Sequence, residues 1–201
     1  MTRHSQLALT LALCALPLAA CAPDVAERTS EQTTATATST PSPTATTPGE
    51  GTFLDPTDVD RTDVEATAEA AALLIHSWDT VTDRTQTAAA IRAKPLMSEE
   101  WAANQIEPER NGNQAAWLKP SEHQAYSAPS ITPAVGDVSR DVANDKVIRA
   151  YDLTWRWISR DGQEIEATGR RQVVIYLEKH SGQWEVVGHQ SSDPNYGAHD
   201  S

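Results

Sequence analysis

From its amino end the chain passes through four regimes of apolar and polar patterning. Leu7 to Leu18 form a short apolar run, and residues 22 to about 52 carry no period at all. Beyond residue 62, apolar positions recur at steps of three and four. Val64, Ala68, Ala71, Ile75 and Trp78 fall on one helical face, predicting a helix over 63–79. Thr62-Asp63-Val64-Glu65 has the S/T-x-x-E form of a capping box at its start. A second helix starts at Thr85, carries Ala88, Ala89 and Ile91, and is ended by Pro95. Ser98 followed by Glu99 and Glu100 reads as an N-cap with acids at the positive helix end. That third helix carries Trp101 and Ile106 and stops before Pro108, and ERNGNQ after it is a loop.

After Pro120 the period changes to two. Ala125 to Val135 is a strand candidate broken by Pro129 and Pro133, which suits a sheet edge. In KVIRAYDLTWRWIS, residues Val147, Tyr151, Leu153, Trp155 and Trp157 share a face. Asp161-Gly162 supplies a hairpin signal. A long second strand then places Ile165, Ala167, Val173, Ile175 and Leu177 on one face, with Gly169 as a bulge or bend. Ser181-Gly182 turns the chain into a last strand with Trp184, Val186 and Gly188. Three helices followed by an antiparallel meander of three or four strands make an α+β domain, the helices packing on one face of a bent sheet. No internal repeat is visible.

The apolar run at the amino end is about 12 residues, short of the roughly 20 needed to span a bilayer. With Arg3 before it and small residues after it, it reads as a secretory signal segment. Leu18-Ala19-Ala20-Cys21 resembles the lipobox of bacterial lipoproteins at all four positions. The resemblance implies cleavage after Ala20 and a diacylglyceryl thioether on Cys21, hence an extracytoplasmic protein held to the membrane by its lipidated amino terminus. Processing would remove Cys14 and leave Cys21 as the sole cysteine, so the core must hold without an internal disulfide. An ordinary cleaved signal with an incidental Cys21 is the alternative.

Residues 21–61 contain TSEQTTATATSTPSPTATTPGEGT, a Thr/Ser/Ala/Pro tract with nothing to build a core from, and read as a disordered tether. The tract is either a plain spacer or a reach through a cell-wall layer. All six tryptophans follow it. The folded domain is therefore placed at 62–196, with 197–201 a tail, and is one domain by size. The formal net charge is -12, and residues 1–20 hold one basic residue and no acid, so processing makes it one unit more negative. Such an acidic chain argues against nucleic acid, which asks for a basic footprint, and against flat adhesion to anionic lipid.

The order of elements is similar to the nuclear transport factor 2-like fold, the cone shared with ketosteroid isomerases. The segments that carry the resemblance are HSWD (76–79), IRAKPLMSEEW (91–101) and RRQVVIYLEKHSGQWEVVGHQ (170–190). A lipid-anchored acidic domain of this type further resembles TcpC-like transfer proteins and Mce-associated proteins of actinobacterial envelopes. That resemblance implies an assembly module without catalysis and a protein partner at the envelope.

Enzymes on such a cone place acids, histidines or tyrosines in the pocket, and here the candidates are His76, Asp79, Tyr151 and His189. His76 with Asp79 at the mouth is the pair for acid–base chemistry of the isomerase or dehydratase kind. A structural histidine and a solvated aspartate are the plainer assignment, so no catalytic residue is expected. The six histidines show no metal-ligand spacing, no phosphate loop or nucleophile elbow appears, and no cofactor is expected. Trp155 and Trp157, with Tyr151, line a hydrophobic mouth for an apolar small molecule or a partner's side chain, unless they simply pack the core. Trp117, in a loop-like stretch and half exposed, is a further candidate for contact with a ligand or partner. Of Arg170 and Arg171, one side chain goes to each face of its strand.

Replacing Cys21 with Ala is expected to abolish incorporation of labelled palmitate and move the protein from the membrane pellet to the soluble fraction. Unchanged labelling would show that Cys21 is not the lipid site.

Overall fold

A computed structural model describes residues 53–112 and 114–192; the signal segment, Cys21, nearly all of the tether and the carboxyl tail lie outside them. The chain starts with a turn of 3-10 helix at Pro56–Asp58, then α1 (Val64–Leu74), α2 (Thr87–Arg92), a second 3-10 turn (Lys94–Leu96), α3 (Glu99–Ala103) and α4 (Gln114–Glu122). Strands β1 (Tyr126–Pro133), β2 (Arg140–Ala143), β3 (Lys146–Ile158), β4 (Thr168–His180) and β5 (Gln183–Ser192) follow. The protein is α+β, as the sequence predicts. The described strands pair antiparallel in the order β1-β3-β4-β5, and β2 pairs with the first residues of β3 on the same edge as β1. This layout fits the nuclear transport factor 2-like fold implied by the resemblance.

Helix α1 contacts β1, β3, β4 and β5. Its alanines explain the approach: Ala68, Ala70, Ala71 and Ala72 are buried with Thr67 and Leu74, so small side chains set the helix close against the sheet. Burial therefore wraps more of the helix than the single predicted face. The cap also differs by one residue. Asp63, not Thr62, accepts from the backbone N–H groups of Glu65 and Ala66, at 2.8 and 3.3 Å. The helix stops at Leu74 rather than running to 79, because the next segment is held by other partners. Ser127 donates to the carbonyl of His76 (2.8 Å) and accepts from the Trp78 N–H (2.7 Å), while its own N–H donates to the Trp78 carbonyl (2.7 Å).

Ser98 caps α3 through the Trp101 N–H, as expected. Helix α4 departs from the loop-like stretch that the sequence suggests around Trp117. Pro120 sits in the last turn, where its missing N–H costs one bond, and the turn closes through the Ala125 N–H to the Pro120 carbonyl. Packing also begins before residue 62. Phe53 lies against the core under the Arg92 guanidinium, and Arg61 bonds the Trp184 carbonyl and Glu185.

The inner sheet face and α1 make one apolar core, with Leu74, Leu96, Leu153, Val173, Ile175 and Val186 fully buried. A second core holds Trp78, Ala89, Trp117, Ala125, Trp157 and Ile165. Trp155 packs against both. Gly169 faces it across the β3–β4 ladder, and the register runs on without a break there, so Gly169 is not a bulge. It is glycine because a Cβ would fall 1.9 Å from the Trp155 ring. The irregularity in the long strands lies between β4 and β5 instead, where Tyr176 opposes Gly188 and Leu177 opposes Val186. Ile165 also leaves the strand: it precedes β4 and belongs to the second core.

Gly169→Val is expected to lower stability by about 1–3 kcal/mol, the cost of overpacking against the Trp155 ring. Thermal unfolding checks it, and an unchanged midpoint would show that the indole is free to move away.

Candidate functional site

One end of the inner sheet face gathers most of the residues that chemistry needs. After α1 the chain brings in His76, β5 brings His189 and Ser191, β4 brings Arg171, α2 brings Thr87, and the residue after α3's cap brings Gln105. Together they line a cleft of about 260 Å³. Strand parity explains the grouping. Arg171 opposes Leu153, His189 opposes Ile175 and Ser191 opposes Val173, all inner-face positions.

His76 is 1% exposed. Its Nδ1 lies 2.9 Å from the Ala72 carbonyl, which can only accept, so Nδ1 carries the proton and Nε2 carries the lone pair. Ser191 Oγ lies 3.3 Å from that Nε2. Burial pushes the His76 pKa down to about 4, and the positive charge of Arg171 adds to the effect. His189 is also pushed down by burial, and its Nδ1 is buried without a hydrogen-bond partner. Trp101 stands edge-on to it at 5.6 Å.

Asp79 does not join His76. Its carboxylate is taken by Arg160 in a two-pronged pair of 2.8 and 2.6 Å, and Oδ1 also accepts from the Val81 N–H at 3.0 Å. Burial pushes this carboxyl up, but the Arg160 hydrogen bonds and charge outweigh it and hold the pKa below the usual range. A neighbouring pair, Arg92 with Asp83, fixes the same loop, and Asp83 accepts from the Asp79 N–H. Asp79 is buried and ion-paired, so it is not the solvated aspartate expected from the sequence. It serves a structural ion pair, and the two residues weighed as an acid–base pair have different partners.

The tryptophans form a column. Trp78 meets Trp155 edge-on at 5.3 Å and Trp157 at 6.1 Å, and Trp117 meets Trp157 edge-on at 5.8 Å. Trp117 is on α4 and only 8% exposed, so it is interior and not a half-exposed loop residue. Trp157 is equally buried, and it also floors a cleft of about 540 Å³ under the 162–166 loop. Trp155 is partly exposed, stacked beneath Arg171 at 5.4 Å. Tyr151 lies in the main core, its hydroxyl buried without a partner and its pKa raised by burial. The shared face of Trp155 and Trp157 was legible; the filling of that face by other indoles was not. The sequence sends Arg170 and Arg171 to opposite faces without a role for either, and parity with Val173 and Ile175 puts Arg171 on the inner face.

Among the described residues, no three His, Cys, Asp or Glu side chains group as metal ligands, and no helix is long and apolar enough to cross a membrane. No protein-family model matches the chain, and no curated protein matches it in sequence. Three solved structures are similar. A periplasmic fragment of TraM shares 14% identity over 67% of this chain and 98% of its own, with a TM-score of 0.43. CagV, a VirB8 homolog of a T4SS from Helicobacter pylori, shares 12% identity over 64% of this chain and 98% of its own, at 0.41. A putative calcium/calmodulin dependent protein kinase II association domain from Xanthomonas campestris shares 14% identity over 63% and 79%, at 0.31.

The buried neutral His76 sets a pH dependence. Its folded pKa lies below the unfolded value near 6.5, so the unfolded chain binds the extra proton first and stability falls as pH drops from 6.5 towards 4. The shift corresponds to on the order of 3 kcal/mol. Urea unfolding from pH 7 to 4 is expected to show a flatter slope for His76→Leu than for the wild type. Parallel slopes would show that His76 is solvated.

Proposed function

We propose that the protein is an extracytoplasmic lipoprotein whose domain, tethered through Cys21, acts as a non-enzymatic interaction module at the cell envelope. The observation that carries this reading is the pairing of a complete Leu-Ala-Ala-Cys processing sequence with a folded unit whose interior is occupied by its own side chains. The indole column takes the space an apolar guest would need. His76 and Asp79 are engaged by Ala72 and Ser191 on one side and by Arg160 on the other, which supports a domain without an acid–base dyad.

The outer face of the sheet supports a docking role. Thr154, Arg156 and Arg170 are exposed there, and Ile148, Val174 and Tyr176 stay partly exposed. The helices cover only the inner face, where alternate residues of β3 and β4 are buried. A protein partner, brought within reach by the anchor and tether, would meet this mixed surface. An acidic balance keeps the domain itself off anionic lipid.

The test is a photo-crosslinking amino acid at Thr154 or Tyr176 in intact cells, with Cys21→Ala as the unanchored control. Discrete adducts with one or a few envelope proteins, lost in the control, are expected. Absence of adducts from both positions at normal expression would remove the docking reading.

A further inference from the structure

The chain carries 28 acidic against 16 basic side chains, so an arginine has acids to pair with in excess. Arg61, Arg92, Arg149 and Arg160 are each held by a carboxylate at 2.5 to 3.0 Å. The outer face of the sheet is different. Arg156 is exposed there and, among the described residues, makes no ion pair or hydrogen bond, although Glu164 and Glu166 line the same cleft. Arg170 has Asp152 at a loose 3.9 Å and keeps 61% of its side chain exposed. In the β3–β4 register Thr154 opposes Arg170 and Arg156 opposes Thr168, which makes the two arginines diagonal neighbours on one face. Such positions are about 7–8 Å apart, where two like charges repel and a carboxylate between them is attracted to both. Further along the same face Ile148, Val174 and Tyr176 are partly exposed, and Ile148 opposes Tyr176 across the ladder. A uniform polyanion fits this surface poorly, since the net charge of -12 repels it and the apolar side chains offer it nothing. A protein segment that sets carboxylates beside apolar side chains matches both parts.

We propose that the outer face binds an acidic, partly apolar segment of a protein partner, with Asp or Glu carboxylates on Arg156 and Arg170 and apolar side chains against Ile148, Val174 and Tyr176. This inference rests on the docking reading above and names the chemistry of what docks. The planar fork of arginine holds a carboxylate through two N–H bonds and is weakly hydrated, so it gives up little water on contact. Exposed charges of this kind fix orientation and speed encounter more than they add affinity, and the apolar side chains supply the rest. Lys146, at the other end of the face, does not extend the site, because Glu178 takes it at 2.7 Å.

The test titrates the full chain in mild detergent against short fluorescent peptides of equal length: alternating Val-Glu, alternating Val-Gln, and Glu alone. Val-Glu is expected to bind saturably by anisotropy, with an affinity that falls as salt is raised. Val-Gln lacks the charge and Glu alone lacks the apolar part, so each is expected to bind about tenfold more weakly. Arg156→Gln combined with Arg170→Gln should cost Val-Glu about tenfold with an unchanged unfolding midpoint, whereas Lys146→Gln should keep its affinity. No saturable Val-Glu binding, equal binding of Val-Gln, or no loss in the double arginine variant would overturn the proposal. Tightest binding by Glu alone would overturn it in favour of a polyanion. In cells, adducts from Thr154 that survive the double arginine variant would sink the acidic partner and leave docking standing. Absence of adducts from both Thr154 and Tyr176 in the unaltered protein would remove docking and this inference together.

Discussion

The contact on which the rest of the domain depends is the indole of Trp155 lying on Gly169. It joins the α1–sheet core to the second core built around Trp78, Trp117 and Trp157. The long strands β3 and β4 run in unbroken register past it, so the sheet accommodates the ring without a bulge. On its other side, Arg171 and His76 stand against the same indole, His76 at 6.5 Å between ring centroids. One side chain therefore ties the two cores to the cleft. Dense interiors transmit a displaced ring because few neighbouring rotamers can absorb it.

Around this joint, polar groups do the work of termination. Helix α1 ends where Ser127 captures the backbone of His76 and Trp78, and Arg92 reaches the Ser77 carbonyl at 2.6 Å. The following loop is then stapled by Asp79 with Arg160 and Asp83 with Arg92. Buried ion pairs contribute little net stability relative to an apolar replacement, but losing one partner strands a charge. Their value here is geometric. They hold the chain reversal that lets Trp78 enter the column and His76 face the sheet.

The same architecture divides the molecule by charge. Carboxylates crowd the outer groove between α3 and β5, where Glu99, Glu100, Glu178 and Glu185 line a cleft of about 1020 Å³. Among the described residues, the lining of the inner cleft carries none. Two of the groove's acids are neutralised locally, Glu178 by Lys146 and Glu185 by Arg61.

Local sequence determined the local features. Period-two alternation placed Val147, Leu153, Trp155 and Trp157 on one face of β3, because adjacent side chains in a strand must point to opposite sides. Ser98 before two acids marked the start of α3, and Pro129 and Pro133 marked an edge strand, because these depend on neighbours within a few residues. Helix α4 escaped this reading, since Pro120 looks like a stop until its place in the last turn is known. Gly169 was misread for a related reason: a strand glycine signals either a bulge or a close approach, and only the partner strand shows which. The burial of His76, the Asp79–Arg160 pair and the meeting of Arg171 with His189 were decided by tertiary structure alone. Those groups lie 81 or more residues from their counterparts, or on separate strands, and their charge states depend on solvent exclusion that no short window of sequence records.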